Sequence, residues 1–206
     1  MKSLLISGSP IKDSSTEILL TRIADGIDLV RAQSGLAPTG REFIRLNELK
    51  FIPCQACGKS PEPAWCFFED DLTPLYEKLV QSDAILLGTP VYFDSVSGQM
   101  KMFIDRCNCF RPPDYAGDSA HAFKKRGLPR RIGAGVLVGG VRGEFELARR
   151  VLAAFFKWLD IDVAGYVRYE SKDFRKQGEV LTNQKAIAEA HVLGQEVGKR
   201  TSPSPA

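Results

Sequence analysis

Histidine is almost missing from this chain: His121 and His191 are the only two in 206 residues. Neither has sequence neighbours that would complete a tetrahedral metal site. Long apolar runs are missing as well. Nothing approaches the roughly 20 apolar residues that cross a bilayer, and the N-terminal run Leu4-Leu5-Ile6 is too short for the core of a signal peptide. A cytoplasmic protein with no membrane span is therefore expected. Charge of one sign is scarce, since 28 Lys and Arg against 25 Asp and Glu leave a formal +3. Without a long basic stripe there is no footprint for nucleic acid, and small molecules are the expected partners. Two phosphate-binding signatures are absent too: no Gly-Lys-Ser/Thr ends a Walker A loop, and no Gly-x-Gly-x-x-Gly opens a dinucleotide fold. Five cysteines, an odd number in an intracellular chain, argue against a disulfide framework and leave thiol, metal or packing roles.

What is present is alternation. Short apolar runs at Leu4–Ser7, Phe43–Leu46, Ala84–Gly88, Gly133–Val138 and Val163–Val167 read as strands. Amphipathic stretches at Thr16–Ala32, Leu72–Gln81, Gly98–Cys107, Glu144–Leu159 and Gln184–Lys199 read as helices. Alternating strand and helix predicts an α/β fold with a parallel sheet covered on both faces, and right-handed crossovers leave only a few doubly wound topologies. Hydrophobic residues at 44% suffice for one substantial core. One domain over 1–200 is expected, with a flexible Ser/Pro-containing tail at 201–206.

Ligand sites in such sheets lie beyond the carboxyl ends of the strands, which directs attention to three loops. The first runs from Gly8 through Ser9, Pro10, Ile11, Lys12, Asp13, Ser14 and Ser15 to Thr16 and enters a helix whose first N–H groups face the loop. With the hydroxyls of Ser9, Ser14, Ser15 and Thr16, and Lys12 at the rim, it suits a terminal phosphate. The plainer reading is that Ser14 or Ser15 caps the helix. The second loop, after the third strand, carries Pro90, Val91, Tyr92, Phe93 and Ser95. Its adjacent aromatics can lie against a planar ring or simply pack in the core. The third, after the fourth strand, carries Gly139, Gly140, Arg142 and Gly143. It allows close backbone approach to a ligand, or makes an ordinary glycine-rich turn.

Gly8-Ser9-Pro10 with Ser14-Ser15-Thr16, Thr89-Pro90-Val91-Tyr92 leading to Gly98-Gln99-Met100-Lys101 and Asp105-Arg106, and Gly139-Gly140 together resemble the NADPH-dependent FMN reductase branch of the flavodoxin-like superfamily, near the iron-sulfur flavoproteins. The resemblance covers nearly the whole chain. It implies a five-stranded sheet of order 2-1-3-4-5, FMN as cofactor, NAD(P)H as co-substrate and a homodimer or homotetramer. It also implies that Ser9, Lys12, Ser14, Ser15 and Thr16 hold the FMN phosphate, that Pro90 to Phe93 and Ser95 lie beside the isoalloxazine, and that Gly139, Gly140 and Arg142 close the other side. The chain departs from the pattern at Ile11, where family members often carry Arg, and at the helix start, where they often carry Gly-Asn-Thr.

The activity so implied passes electrons from NAD(P)H to a flavin, quinone or similar small acceptor. No catalytic side chain is required, because the cofactor carries the chemistry. An electron carrier and a non-catalytic flavin-binding module are the rivals; the slightly basic charge speaks against an acidic carrier. The basic loop Phe110–Arg131, with Lys124, Lys125, Arg126, Arg130 and Arg131, offers either an attraction for NADPH phosphates or a solvated surface. Cys54-x2-Cys57 followed by Cys66 resembles the compact cluster motif of iron-sulfur flavoproteins. A four-iron cluster takes four thiolates, yet the third ligand position is Ser60, and Cys107 and Cys109 lie far along the chain. The expectation is no metal, with Cys54, Cys57 and Cys66 as residual candidates for a cluster, a redox pair or part of a zinc site.

Overall fold

A computed structural model describes residues 1–59, 64–113, 123, 127–173 and 176–201. Ser60, His121, Lys124, Lys125, Arg126 and the tail beyond Thr201 lie outside the described residues. In chain order the elements are β1 (Lys2–Ser7), α1 (Ser15–Gln33), β2 (Gly40–Arg45), α2 (Thr73–Gln81), β3 (Ala84–Tyr92), β4 (Ser95–Val96), α3 (Gly98–Arg106), β5 (Arg131–Gly140), α4 (Phe145–Trp158), β6 (Ile161–Ser171) and α5 (Gln184–Thr201). The parallel path runs β2-β1-β3-β5-β6, the flavodoxin-like winding.

The sheet has six strands rather than five. Pairing with β5 carries β3 past Gly88 through Thr89 and Pro90, and the addition, β4, pairs antiparallel with its end through Val91–Val96 and Tyr92–Ser95, taking the strand on into what reads from the sequence as a loop. Phe93 and Asp94, both at positive φ (49° and 58°), form the two-residue connection, as in a type I′ turn matched to the twist of its strands. At the other end of the chain, Thr201 belongs to α5 rather than to a tail.

Side chains of β3 divide by parity between two cores, as the strand period of two requires. Ile85 and Leu87 join α2, α3 and α4 through Leu79, Phe103 and Phe155. Ala84 and Leu86 join α1 and α5 through Leu20, Ile23 and Ala190. The parallel strands are thus buried on both faces, and their ends open onto one edge. No helix among the described residues is long and apolar enough to cross a membrane.

Arg131 departs from the expected basic loop. It opens β5 at 1% exposure, and its guanidinium donates to the carbonyls of Pro129 and Leu79 at 3.1 and 3.3 Å and to that of Leu159. Burial pulls its pKa down to about 10, so it ties β5 to the ends of α2 and α4 and is not a surface cation. Arg130 remains exposed and pairs with Asp162 at 3.0 Å.

Candidate functional site

A cleft of about 300 Å³ opens at the carboxyl edge of the sheet. One wall is the loop between β1 and α1, contributing Ser9, Ile11, Ser14, Ser15 and Thr16. The loop is anchored from below: the Gly8 N–H donates to the Gly88 carbonyl at 2.8 Å, and Ser97 Oγ donates to the Gly8 carbonyl at 2.7 Å. A Cβ on Gly8 would stand 2.8 Å from both Ser97 Oγ and Met100 Cβ, so only glycine lets β1 leave the sheet so close to α3. Ser14 caps α1, its Oγ accepting from the Glu17 N–H at 3.4 Å. Glu17, 4% exposed, accepts from the Asp13 N–H at 2.9 Å and from Arg45 at 2.9 and 3.1 Å. That ion pair fixes the turn through which the loop enters the helix. The first N–H groups of α1 have no carbonyl a turn earlier to bond, so they and the positive end of the helix dipole are left for an anion.

The second wall is formed by Pro90, Val91 and Tyr92 at the end of β3 and by Val138, Gly139 and Gly140 at the end of β5. Tyr92 is half exposed, and partial burial raises its phenol pKa. The aromatic pair separates here. Phe93 sits at the hairpin tip, fully exposed, because alternation along β3 and the two-residue turn carry it away from its neighbour. Ser95 pairs with Tyr92 across the hairpin, and Asp94 Oδ1 accepts from the Glu144 N–H at 2.9 Å, docking the tip against the start of α4. Lys12, Phe93, Ser95 and Arg142 do not line the cleft; Lys12 and Arg142 are exposed beside it.

A third wall is absent from the sequence reading: Ser171, Lys176, Gln177 and Gly178, after β6. Gln177 Nε2 donates to the Lys12 carbonyl at 2.6 Å, closing this loop onto the first. Glu179, 8% exposed, braces it by accepting from Ser171 Oγ at 2.5 Å and from the Lys172 N–H at 3.1 Å. Burial opposes its ionisation, but these hydrogen bonds outweigh burial and hold its carboxyl below the ordinary range. Ser15 Oγ accepts from the Val180 N–H at 3.3 Å, so one expected phosphate hydroxyl is tied to the third wall as an acceptor while its O–H stays free of that bond. Lys176 brings a cation to the cleft from an unexpected quarter. The signal available in the sequence was Gly178 itself, closing the stretch that follows the last strand; it takes φ 66°.

Cys54, Cys57 and Cys66 are elsewhere. They line a separate cavity of about 370 Å³ that shares no residue with the cleft.

Comparison with known proteins gives a consistent result. The family described as NADPH-dependent FMN reductase matches residues 1–169. An iron-sulfur flavoprotein of Methanocaldococcus jannaschii is 36% identical over 111 residues, 54% of this chain and 54% of that one; the match spans about half that relative's length. An iron-sulfur flavoprotein of Methanosarcina thermophila is 29% identical over 161 residues, covering 78% of this chain and 74% of its own. Among solved structures, an NADH:FMN oxidoreductase superposes with a TM-score of 0.62 at 17% identity, covering all of this chain and 92% of the other, a likeness of fold.

Proposed function

The chain belongs to the NADPH-dependent FMN reductase family, and from that footing we propose that it is an FMN-dependent oxidoreductase that takes hydride from NAD(P)H and passes electrons to a flavin, quinone or similar small acceptor. The observation that carries this reading is the convergence of the loops after β1, β3 and β5 on one cleft at the carboxyl edge of the sheet, where doubly wound folds bind nucleotides.

The residues fit the cofactor. The α1 N-terminus and the hydroxyls of Ser9, Ser14, Ser15 and Thr16 receive the phosphate, with Lys176 and Lys12 offsetting its charge from either side. Pro90, Val91 and Tyr92 flank one side of the ring system, Tyr92 offering an offset-stacked face. Gly139 and Gly140 let the ring approach the backbone closely on the other. Bound there, FMN supplies two-electron acceptance and onward delivery; the protein's part is to position the ring, exclude bulk water from one side and leave the other open. The working unit is one cytoplasmic FMN-binding domain over residues 1–200, assembled as a homodimer or homotetramer.

Denaturing the purified protein and chromatographing the released cofactor tests the assignment. FMN at about one per chain is expected. FAD, or a protein that neither carries nor takes up FMN, would contradict it.

A further inference from the structure

Past the bond from the Gly8 N–H to the Gly88 carbonyl, β1 turns away into the first wall of the cleft while β3 runs on into the second. Beyond that point no backbone hydrogen bond among the described residues joins the two walls. Three hydroxyls lie beneath the gap instead, on Ser7, Thr89 and Ser97. All three residues are fully buried, and none lines the cleft.

Their bonds form one chain. The Ser97 N–H donates to Thr89 Oγ1 at 2.9 Å, and Thr89 Oγ1 donates to the Pro90 carbonyl at 2.8 Å. Ser97 Oγ accepts from the Met100 N–H at 3.3 Å and donates to the Gly8 carbonyl at 2.7 Å. Ser7 Oγ accepts from the Ser9 N–H at 3.2 Å, so the peptide between Gly8 and Ser9 is held at both its oxygen and its nitrogen. A relay thus runs from the peptide that carries Ser9, in the first wall, through Ser97 and Thr89 to the carbonyl of Pro90, in the second. Packing alone does not call for these hydroxyls: burying one is costly unless it is bonded, and Val at position 89 or Ala at position 97 would nearly keep the shape. What a fully satisfied buried network adds is a single geometry. Here that geometry is the spacing of the two walls.

We propose that Thr89 and Ser97 are positioning residues for the flavin, acting as one relay that sets the distance between the phosphate wall and the ring wall. The inference rests on the FMN reading of the cleft. FMN carries its phosphate and its ring on one short chain, so both ends are gripped at full strength only when the walls stand at the matching distance, and a small displacement of either loosens the whole.

The test titrates the full chain, stripped of flavin, with FMN and with riboflavin, which has the ring and lacks the phosphate. Thr89→Val should weaken FMN roughly tenfold and riboflavin by less than about twofold, the mark of two grips put out of step. Thr89→Ser keeps the hydroxyl and should bind both flavins as wild type does. Ser97→Ala should behave as Thr89→Val does, and the double variant no worse than either, because both break one relay. Melting temperature, read on each variant, separates lost binding from lost folding. In the wild type, which needs no variant to fold, amide exchange at Ser97 should slow more with FMN than with riboflavin and inorganic phosphate together. Unchanged FMN affinity in Thr89→Val, a parallel fall in both affinities, Thr89→Ser as weak as Thr89→Val, additive losses in the double variant, or equal protection at Ser97 would each overturn the proposal. Wild type that takes up neither flavin would overturn the FMN reading and this proposal with it, an outcome visible before any variant is compared.

Discussion

The cleft and the thiol cavity lie in one sheet-based fold but are assembled by different routes. The cleft draws each wall from a loop that follows directly on a parallel strand, so its chemistry sits in short, contiguous stretches such as Ser14-Ser15-Thr16 and Pro90-Val91-Tyr92. The cavity gathers Cys109, in the turn after α3, onto a segment that ends some forty residues earlier, with Arg106 as the clamp. The cleft rests on backbone N–H groups and helix ends that many side chains can replace, and the cavity on four specific thiols. Tolerance to substitution should differ accordingly.

The largest expected effect removes both regions together, by parting the helices that carry the first wall. A Cβ on Gly194 would stand 1.9 Å from the Ile23 carbonyl oxygen, since α1 and α5 cross in direct backbone contact. Gly194→Leu should destabilise by about 3 kcal/mol or more, the upper range for overpacking, with loss of FMN. Denaturant titration measures it; a variant as stable as wild type would mean that the helices do not cross so closely.

Glu179 tests the third wall alone. Its carboxyl is held below the ordinary value of 4.5, so its contribution is fully present above about pH 4.5 and is lost as pH falls through the lower folded-state value. FMN retention in the wild type should weaken across that acid range. Glu179→Gln should lose roughly 1 kcal/mol of stability at neutral pH and show a flatter acid profile. Equal profiles for the two proteins would remove Glu179 from the account.

Tyr92→Ala separates the regions most cleanly. Loss of a stacked ring should weaken FMN binding roughly five- to tenfold, about 1 kcal/mol, with melting temperature unchanged. Fluorescence titration of the apoprotein reads the first and thermal melting the second; unchanged affinity would take Tyr92 off the ring.

Most of the fold was legible because strands buried on both faces leave uninterrupted apolar runs, as at Leu4-Leu5-Ile6 and Ala84 to Gly88, and helices keep a 3.6 period between them. The first loop was legible for the same local reason: Ser14 stands where a cap must. Four features were not. The end of β3 depends on pairing with β4, a two-residue strand without a pattern of its own. Arg131 looks like its neighbour Arg130 until burial distinguishes them. Lys176 and Gly178 reach the cleft only because β6 ends beside β5. Cys109 reaches the cavity that the other thiols line through packing alone, so spacing could not reveal it.

The smallest effect expected is a gain. Phe93 holds a left-handed conformation at φ 49° while fully exposed, a strain of about 1 kcal/mol that glycine does not carry. Phe93→Gly should raise the melting temperature by a few degrees. A fall would assign the Phe93 ring a contact at the mouth of the cleft.

The central claim, a flavin reduced by a nicotinamide nucleotide, is tested most directly by anaerobic stopped-flow mixing of the FMN-loaded protein with NADPH or NADH while the flavin absorbance is followed. The account predicts bleaching within seconds to minutes by at least one nucleotide and recovery on adding a quinone or free flavin. Bleaching by dithionite but by neither nucleotide would contradict it and leave an electron carrier or a flavin-binding module in its place.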